Sequence, residues 1–416
     1  MNAFVLLMAL LGLSYVSGII GRGRTSAGVG LPSGSEWVIL GFLLGPGLLG
    51  VIDRGVQVDV EPIVFVFVGW VALVIGLDYC VVRSRRLQAS RILLGIACGL
   101  VSVAAVAAMA WYLAPLVGMT LAPSDRLALA LGLGAVASET TSNALRWVAE
   151  RHGAAGPLSG LLDDLAEAKD LAPILAACVG LCLHPRIEVA QRLPLPMVTV
   201  PAVVVIVGAL LGLVAAIMLS RETRTEQSWG IVVGLALLAV GTAARLGLPV
   251  VAALFALGAV AGMASRHRQR LYAMVEPTKR SALLPALLLA GARIEPRALA
   301  AHAWMAAAVV GTRALVSFVL GFVVAPRGRA GASPWRIGPA MLPAGELTMT
   351  IGLSFAICFN GANPVGAAVL VSAAAVTLFG ELVGPLAVRA ALRDAGELGS
   401  AAPPPAPAVD AKDVVA

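Results

Sequence analysis

Long apolar runs separated by short polar or basic stretches divide almost the whole chain. A helix needs about 20 apolar residues to cross the hydrocarbon core of a bilayer, somewhat more or fewer when it is tilted or broken. By that measure the sequence predicts about 13 transmembrane helices, of which the tenth is the shortest. The predicted ranges are 3–20, 36–52, 61–82, 90–117, 124–147, 157–184, 195–219, 228–244, 247–264, 281–294, 299–325, 333–359 and 364–390.

The composition supports a membrane protein. Of 416 residues, 59% are hydrophobic and only 13% are charged, and the mean hydropathy is +0.92. A soluble globular protein has about twice that charged fraction, and a disordered chain needs low hydrophobicity. Because helices satisfy their own backbone inside lipid, we expect an all-α polytopic membrane protein. An Ala/Pro-rich stretch at 395–416 predicts a disordered cytoplasmic tail after a membrane domain at 1–394.

The net charge of +7 comes mainly from arginines in the short loops between apolar runs. Basic loops set membrane orientation, so we favour this reading over a nucleic-acid partner. With thirteen helices, most of the basic residues fall on one side of the membrane if the N-terminus lies outside. The sequence therefore predicts a multi-pass protein of the cell (inner) membrane, with an external N-terminus and a cytoplasmic C-terminus.

Two predicted helices are interrupted at midspan by small and polar residues. The stretches are GAVASETTSN at 134–143 and LPAGELTMTIG at 342–352, and they carry Glu139 and Glu346. The next helix in each case has an acid at midspan, Asp170 or Glu381, at almost the same separation. Glycine-rich stretches in the second and ninth helices repeat at a similar distance.

These spacings predict two inverted repeats. They cover about 36–184 and about 247–390, with a linking helix at 195–219. Inverted repeats with paired broken helices are typical of secondary transporters whose site lies at the bilayer midplane.

The sixth helix is the most charged, and Asp170 lies near its middle. A charge at the bilayer centre costs at least ~2.5–3.5 kcal/mol, so such a residue is functional by default. We predict that Asp170 binds a monovalent cation and a proton in turn. The structural alternative is an ion pair in which Lys169 or Arg313 neutralises Asp170.

Other polar residues in the interrupted helices are candidates for the same site. Glu139, Thr140 and Glu346 are predicted to take part in ion binding, and Thr141 and Ser142 offer further oxygens. Arg313 is expected to balance Glu346 or Glu381 and to hold an unwound turn. Three more acids of the sixth helix either line an inner funnel or mark a wet helix start: Asp163, Asp164 and Glu167.

The order of several motifs resembles that of the monovalent cation:proton antiporter superfamily, in its Kef-type and sodium–proton exchanger branch. The motifs are GFLLGPGLLG, GPLSGLLDDLAEAKDLAPIL, LLLAGARIEP, PAGELTMTIGLSFA and FGELVGPLAVRAALRDAGE. The resemblance implies thirteen helices and two crossing broken helices in a core domain. It also implies that this core moves relative to a panel-like dimerisation domain, and hence a homodimer.

The resemblance places the family's transport acid on Asp170. Where the family has Asp-Asp or Asn-Asp, this chain has Lys169-Asp170, so Lys169 either carries a proton or stands in for one bound cation. The expected function is exchange of sodium or potassium for protons. Alternatives are a carrier of another substrate with the same fold or a Kef-like potassium efflux subunit. No nucleotide-binding motif and no intramembrane-protease motif is present, so neither a cofactor nor an enzyme is expected.

Overall fold

The computed structural model describes residues 34–83, 89–183, 199–221, 225–265, 268–328, 331–359 and 363–398. The predicted first helix at 3–20 lies outside these residues. The predicted tail at 395–416 lies outside them from residue 399 onward, and its first four residues continue from the last helix, with Glu397 hydrogen-bonded to the start of another helix. Within the described ranges all regular structure is helical.

The described residues form sixteen α-helices and a short 3-10 helix, Pro339–Met341. The α-helices are α1 (Glu36–Leu44), α2 (Arg54–Asp59), α3 (Glu61–Arg83), α4 (Ala89–Leu116), α5 (Pro123–Ser138), α6 (Ser142–His152), α7 (Pro157–Lys169), α8 (Leu171–Cys182), α9 (Val200–Arg221), α10 (Thr225–Leu246), α11 (Val250–Ala264), α12 (Arg268–Arg293), α13 (Pro296–Gly328), α14 (Pro334–Ile337), α15 (Glu346–Cys358) and α16 (Pro364–Asp394).

Among the described residues, six helices are long and apolar enough to cross a membrane: α3, α4, α9, α10, α13 and α16. The segment from α14 to α15 forms a seventh span, bent by 45°. The other predicted helices that fall within the described ranges are present as shorter or divided elements, which is compatible with thirteen. The tenth helix is longer than predicted, because α12 begins at Arg268. Charges and Pro277 interrupt the apolar pattern of its first turns, so the hydropathy of the sequence does not predict those turns as part of the helix.

The sixth predicted helix is divided at Asp170. Helix α7 ends at Lys169 and α8 begins at Leu171. Pro173 has no N–H, so it cannot donate to the carbonyl of Lys169 four residues earlier. The backbone N–H of Asp170 donates to the carbonyl of Glu167, three residues earlier, at 3.4 Å. A proline in the sequence thus places Asp170 at a helix discontinuity.

The helices pack as two groups. Helices α1–α3 and α9–α12 pack mainly on one another, and we call them the panel. Helices α4–α8 and α13–α16 form the second group, which contains both broken helices and which we call the crossing group.

Glycines allow the closest helix contacts within the panel. A Cβ on Gly41 would lie 1.9 Å from a backbone oxygen of α12, and a Cβ on Gly291 would lie 2.0 Å from a backbone oxygen of α1. Helices α3 and α11 meet in the same reciprocal way, at Gly76 and Gly258. In the predicted repeats, α1 corresponds to α11 and α3 corresponds to α12. The paired contacts support the inverted repeats, whose boundaries remain a prediction.

The end of α16 caps two helices of the crossing group. The Glu397 carboxylate accepts the backbone N–H of Ser159 at 2.8 Å and that of Leu158, at the start of α7. Asp394 accepts both the backbone N–H and the hydroxyl of Ser333, before α14, at 2.7 Å. Such caps satisfy N–H groups that have no partner within the helix. They attach the helix that carries Asp170 to the last helix.

We predict that Gly41→Ala destabilises the protein by about 1–3 kcal/mol, the usual cost of overpacking a close contact. The added methyl would overlap the backbone of α12. The control is Gly311→Ala in α13, where a Cβ meets no atom within 4 Å and alanine favours the helix. The measurement is the free energy of unfolding in detergent. Equal stability of the two variants would contradict the close packing of α1 on α12.

Candidate functional site

The two broken helices cross at their unwound segments. The breaks fall at 139–141, between α5 and α6, and at 342–345, before α15. The backbone N–H of Thr141 donates to the carbonyl of Pro343 at 3.1 Å. The two unwound segments therefore lie side by side. The half-helix ends of one broken helix point toward those of the other.

Arg313 holds the crossing through backbone carbonyls. Its side chain is only 3% exposed. The guanidinium donates to the carbonyls of Ala137 at 2.5 Å, Glu139 at 2.6 Å, Leu342 at 2.9 Å and Pro343 at 3.1 Å. These carbonyls belong to the C-terminal ends of two half-helices, where the helix dipole favours a cation. The expectation that Arg313 holds an unwound turn agrees with this geometry.

The expected partners of Arg313 are wrong. Glu346 pairs with Lys279, whose Nζ lies 2.5 Å from its carboxylate. Glu381 accepts a hydrogen bond from the Ser35 hydroxyl at 2.5 Å. Formal charge in the sequence pointed to an acid as the partner of Arg313. Unwound backbone carbonyls also accept hydrogen bonds from a guanidinium, and formal charge does not reveal them.

Glu139 caps α15 from the other broken helix. Its carboxylate accepts backbone N–H groups from Gly345 at 3.2 Å, Leu347 at 3.3 Å and Thr348 at 2.5 Å. It is 2% exposed. An anion at a helix N-terminus satisfies otherwise unpaired donors and interacts favourably with the helix dipole. Glu139 therefore neutralises one half-helix end, while Arg313 neutralises two others.

Glu139 and Glu346 are not equivalent in the two breaks, contrary to the sequence interpretation. Glu139 follows the last residue of α5, whereas Glu346 is the first residue of α15. The two breaks differ in length. The nearly constant separation of corresponding residues in the two repeats therefore does not place Glu139 and Glu346 at matching points of the breaks.

A polar cavity of about 60 Å³ lies beside the crossing. A water molecule needs roughly 10–15 Å³ of such space, so the cavity has room for a few water-sized species. One oxygen of Asp170, Oδ1, is buried and has no hydrogen-bond partner among the described residues. The polar residues that line the cavity are Asp78, Tyr79, Glu139, Thr140, Thr141, Ser142, Asn143, Arg146, Glu167, Asp170, Tyr272, Glu276, Lys279 and Glu346.

Lys169 lies outside this cavity, although it precedes Asp170. Its side chain is 2% exposed, and its Nζ donates to the hydroxyl of Thr140 at 3.0 Å. Thr140 in turn donates to the carbonyl of Met341 at 2.9 Å. Among the described residues, Lys169 forms no ion pair with a carboxylate, and Asp170 forms none with a basic side chain. The alternative in which Asp170 is a structural ion pair therefore has no support in the geometry.

A wider opening of about 500 Å³ joins the cavity on one side. Asn143, Arg146, Glu276, Lys279 and Glu346 line both spaces. These five residues form the neck between the opening and the cavity, and the Lys279–Glu346 ion pair lies in it. An ion that reaches Asp170 from this opening passes between paired charges.

The other acids of the sixth helix pair with arginines. Arg146 lies 3.2 Å from Asp163 and also contacts Glu167. Arg91 lies 2.7 Å from Asp164. Of the three acids, Glu167 lines the cavity and the other two do not. The structure thus places Glu167 at the site and leaves Asp163 and Asp164 at its edge.

The hydroxyl groups of the two broken helices are divided between two roles. Thr141 and Ser142 line the cavity, and Thr141 also caps α6 through the N–H of Asn143. The Thr348 hydroxyl donates to a carbonyl of α5, and Thr350 donates to the carbonyl of Glu346 in its own helix. Glu381 does not line the cavity.

Sequence reasoning missed five polar lining residues of the panel: Asp78, Tyr79, Tyr272, Glu276 and Lys279. Asp78 lies near the end of α3, and Tyr272 of α12 interacts with its carboxylate. Lys279 was placed in a loop, because the tenth helix was predicted to begin after it. An acid within the apolar run of the third helix was the available signal for Asp78, by the same cost argument that selected Asp170.

No protein-family model and no curated protein matches the chain. Among solved structures, the sodium proton antiporter MjNhaP1 from Methanocaldococcus jannaschii at pH 8 matches with a TM-score of 0.67 and 14% identity, over 96% of this chain and 100% of that chain. An electron-microscopy map of the same antiporter matches with a TM-score of 0.60 and 15% identity, over 96% and 97% of the two chains. The chain therefore has the sodium–proton antiporter fold, which confirms the predicted fold class.

We predict that Arg313→Lys destabilises the protein by about 2–4 kcal/mol. An ammonium cannot reach all four carbonyls, and each hydrogen bond to a charged group contributes about 1.5–3 kcal/mol. Arg297→Lys, at an exposed position of α13, is the matched control and should be neutral. Unfolding in detergent measures both. If Arg313→Lys keeps wild-type stability, the guanidinium does not hold the crossing.

Proposed function

We propose that this protein exchanges a monovalent cation, sodium or potassium, for protons across the membrane by alternating access. The observation that carries the proposal is Asp170. Its carboxylate lies at a helix discontinuity beside the crossing, in a small polar cavity, with one buried oxygen that has no protein partner. A carboxylate oxygen is a hard ligand for such cations, and it also accepts a proton. Competition between the two for one group produces exchange.

Other oxygens around the cavity are available to complete a cation shell. Asp78 of the panel and Ser142 and Thr141 of the crossing group line the same space as Asp170. Unwound backbone and half-helix ends near the bilayer midplane are the usual surroundings of coupling ions in transporters. We assign Asp170 as the principal ligand and these three as supporting oxygens.

The division of the helices into two groups supports alternating access. The cavity has one wall from the crossing group and one from the panel, with Asp78, Tyr272 and Lys279 on the panel side. Movement of one group against the other would close the present opening and expose Asp170 on the opposite side. The Lys279–Glu346 pair, which joins α12 to α15, would then separate or shift.

The fold comparison supports the same function. The neighbouring structure is a sodium proton antiporter. We further propose that the protein lies in the cell (inner) membrane as a homodimer, with its N-terminus outside and its C-terminus in the cytoplasm, as loop charge and the family resemblance indicate.

One observation favours a second candidate, a carrier of the same fold with a different substrate. Arg146, Lys279 and Arg280 line the wide opening, and basic side chains there would suit an anionic group. Acids neutralise two of them, since Lys279 pairs with Glu346 and Arg146 contacts Asp163. Cation exchange therefore remains the better reading, and a Kef-like potassium efflux is distinguished by its independence from proton movement.

We predict that Asp170→Asn abolishes cation-driven proton movement while the protein stays folded. The neutral amide has the same shape as the carboxyl group, but it does not bind a proton in the pH range of the assay and has no charge to attract a cation. The measurement uses purified protein in vesicles with an internal pH dye, and compares sodium, potassium and choline chloride added outside.

Asp164→Asn is the matched control, since Asp164 belongs to the same helix but pairs with Arg91 outside the cavity. It should retain exchange. If Asp170→Asn collapses a pH gradient at the wild-type rate, Asp170 is not the site. A wild-type protein that moves protons with none of the cations, or cations without protons, would refute the exchange.

A further inference from the structure

Lys169 is the most costly buried side chain near the crossing. It is 2% exposed, and its ammonium makes one hydrogen bond, to Thr140. Apart from Thr140 and Thr141, the small space around it is lined by apolar side chains, including Leu145, Leu162 and Leu165. A buried charge without a counter-ion or a full set of hydrogen bonds is strongly unfavourable. Packing alone does not explain a lysine here, since an apolar residue would fill this space at lower cost.

Thr140 separates Lys169 from the cavity that holds Asp170. It lines that cavity and also lines the space around Lys169. A threonine hydroxyl has one donor and two acceptor positions. Its donor goes to the Met341 carbonyl at 2.9 Å, and one acceptor position takes the Lys169 ammonium at 3.0 Å. A cation bound to the same oxygen would lie next to a fixed positive charge and be repelled by it.

We infer that Lys169 lowers the cation affinity of the exchange site, because its ammonium takes one acceptor position of the Thr140 hydroxyl and its charge repels a cation at the other. This inference rests on the proposed function, because it concerns the same cavity. Lys169 is a specificity-determining residue that acts through Thr140. Removing its charge would return one oxygen to the site and remove the repulsion at the same time.

The test measures cation binding by thermal stability of the full-length protein in detergent, titrated with sodium or potassium chloride against choline chloride. A cation that binds only the folded state raises the melting temperature as its concentration passes Kd. The variants are Lys169→Met, which keeps an unbranched apolar side chain, Thr140→Val, and the double variant. Leu162→Met, in the same apolar surroundings, controls for repacking.

We expect Lys169→Met to lower the apparent Kd by about tenfold, the order of one added charge-assisted contact. Thr140→Val alone should leave Kd within about twofold of wild type, because Thr140 is already occupied. The double variant should lose the gain of Lys169→Met. If Thr140→Val proves unstable, Thr140→Ser in the Lys169→Met background should retain the gain, since it keeps the hydroxyl.

Several outcomes would overturn the inference: an unchanged Kd in Lys169→Met, a weaker Kd in Thr140→Val alone, or a gain that survives in the double variant. Absence of any cation effect in wild type and Lys169→Met together would also overturn it. Cation binding that follows the expected pattern without coupled proton movement in vesicles would refute the proposed exchange and leave this role of Lys169 standing.

Discussion

The crossing of the two broken helices depends on opposite charges placed at opposite kinds of helix end. Unwinding a helix inside a membrane leaves carbonyls and N–H groups unpaired, and each such group costs several kcal/mol without water. Arg313 pairs with four carbonyls from two half-helices. Glu139 pairs with the N–H groups at the start of a third. Because each charge also compensates the other's burial, neither residue is expected to be replaceable alone.

This arrangement determines which charge remains available to a mobile ion. Arg313 and Glu139 are committed to backbone, Lys279 to Glu346, and Arg146 to its acids. Asp170 lies in the same region and has a buried oxygen without a partner. Among the described residues, an ion entering the cavity therefore meets two buried carboxylate oxygens without a partner, Oδ1 of Asp170 and Oε2 of Glu167, and Glu167 is already paired with Arg146 through its other oxygen. The fixed charges make the crossing rigid. A rigid crossing keeps Oδ1 of Asp170 free of a partner among the described residues.

The sequence predicts the helical fold well, because it follows from the cost of polar groups in lipid; the role of Asp170 follows from the same cost and stays a prediction. An apolar run must be helical, and an acid at its middle must have a use. The partners of Arg313 and the location of Lys279 could not be predicted in this way. Both depend on where the backbone unwinds. Hydropathy carries no information about carbonyls that have lost their partners within a helix. The register of Glu139 against Glu346 was wrong for the same reason, since the length of a break is set by local packing around residues such as Pro343.

The distribution of close contacts indicates where the molecule is able to move. In the panel, glycines bring helix backbones into direct contact at Gly41 and Gly258, and sliding there would force backbone atoms together. The crossing group is fixed by buried charge. Polar contacts between the two groups include Lys279 to Glu346 and Ser35 to Glu381, which involve flexible side chains. The Lys279–Glu346 contact lies beside the wide opening, although both of its side chains are largely buried. The proposed alternating access requires relative motion of the two groups, with Asp170 on one of them and Asp78 on the other. Such motion would break these side-chain contacts and would leave intact the glycine contacts within the panel and the hydrogen bonds of Arg313 and Glu139 within the crossing group.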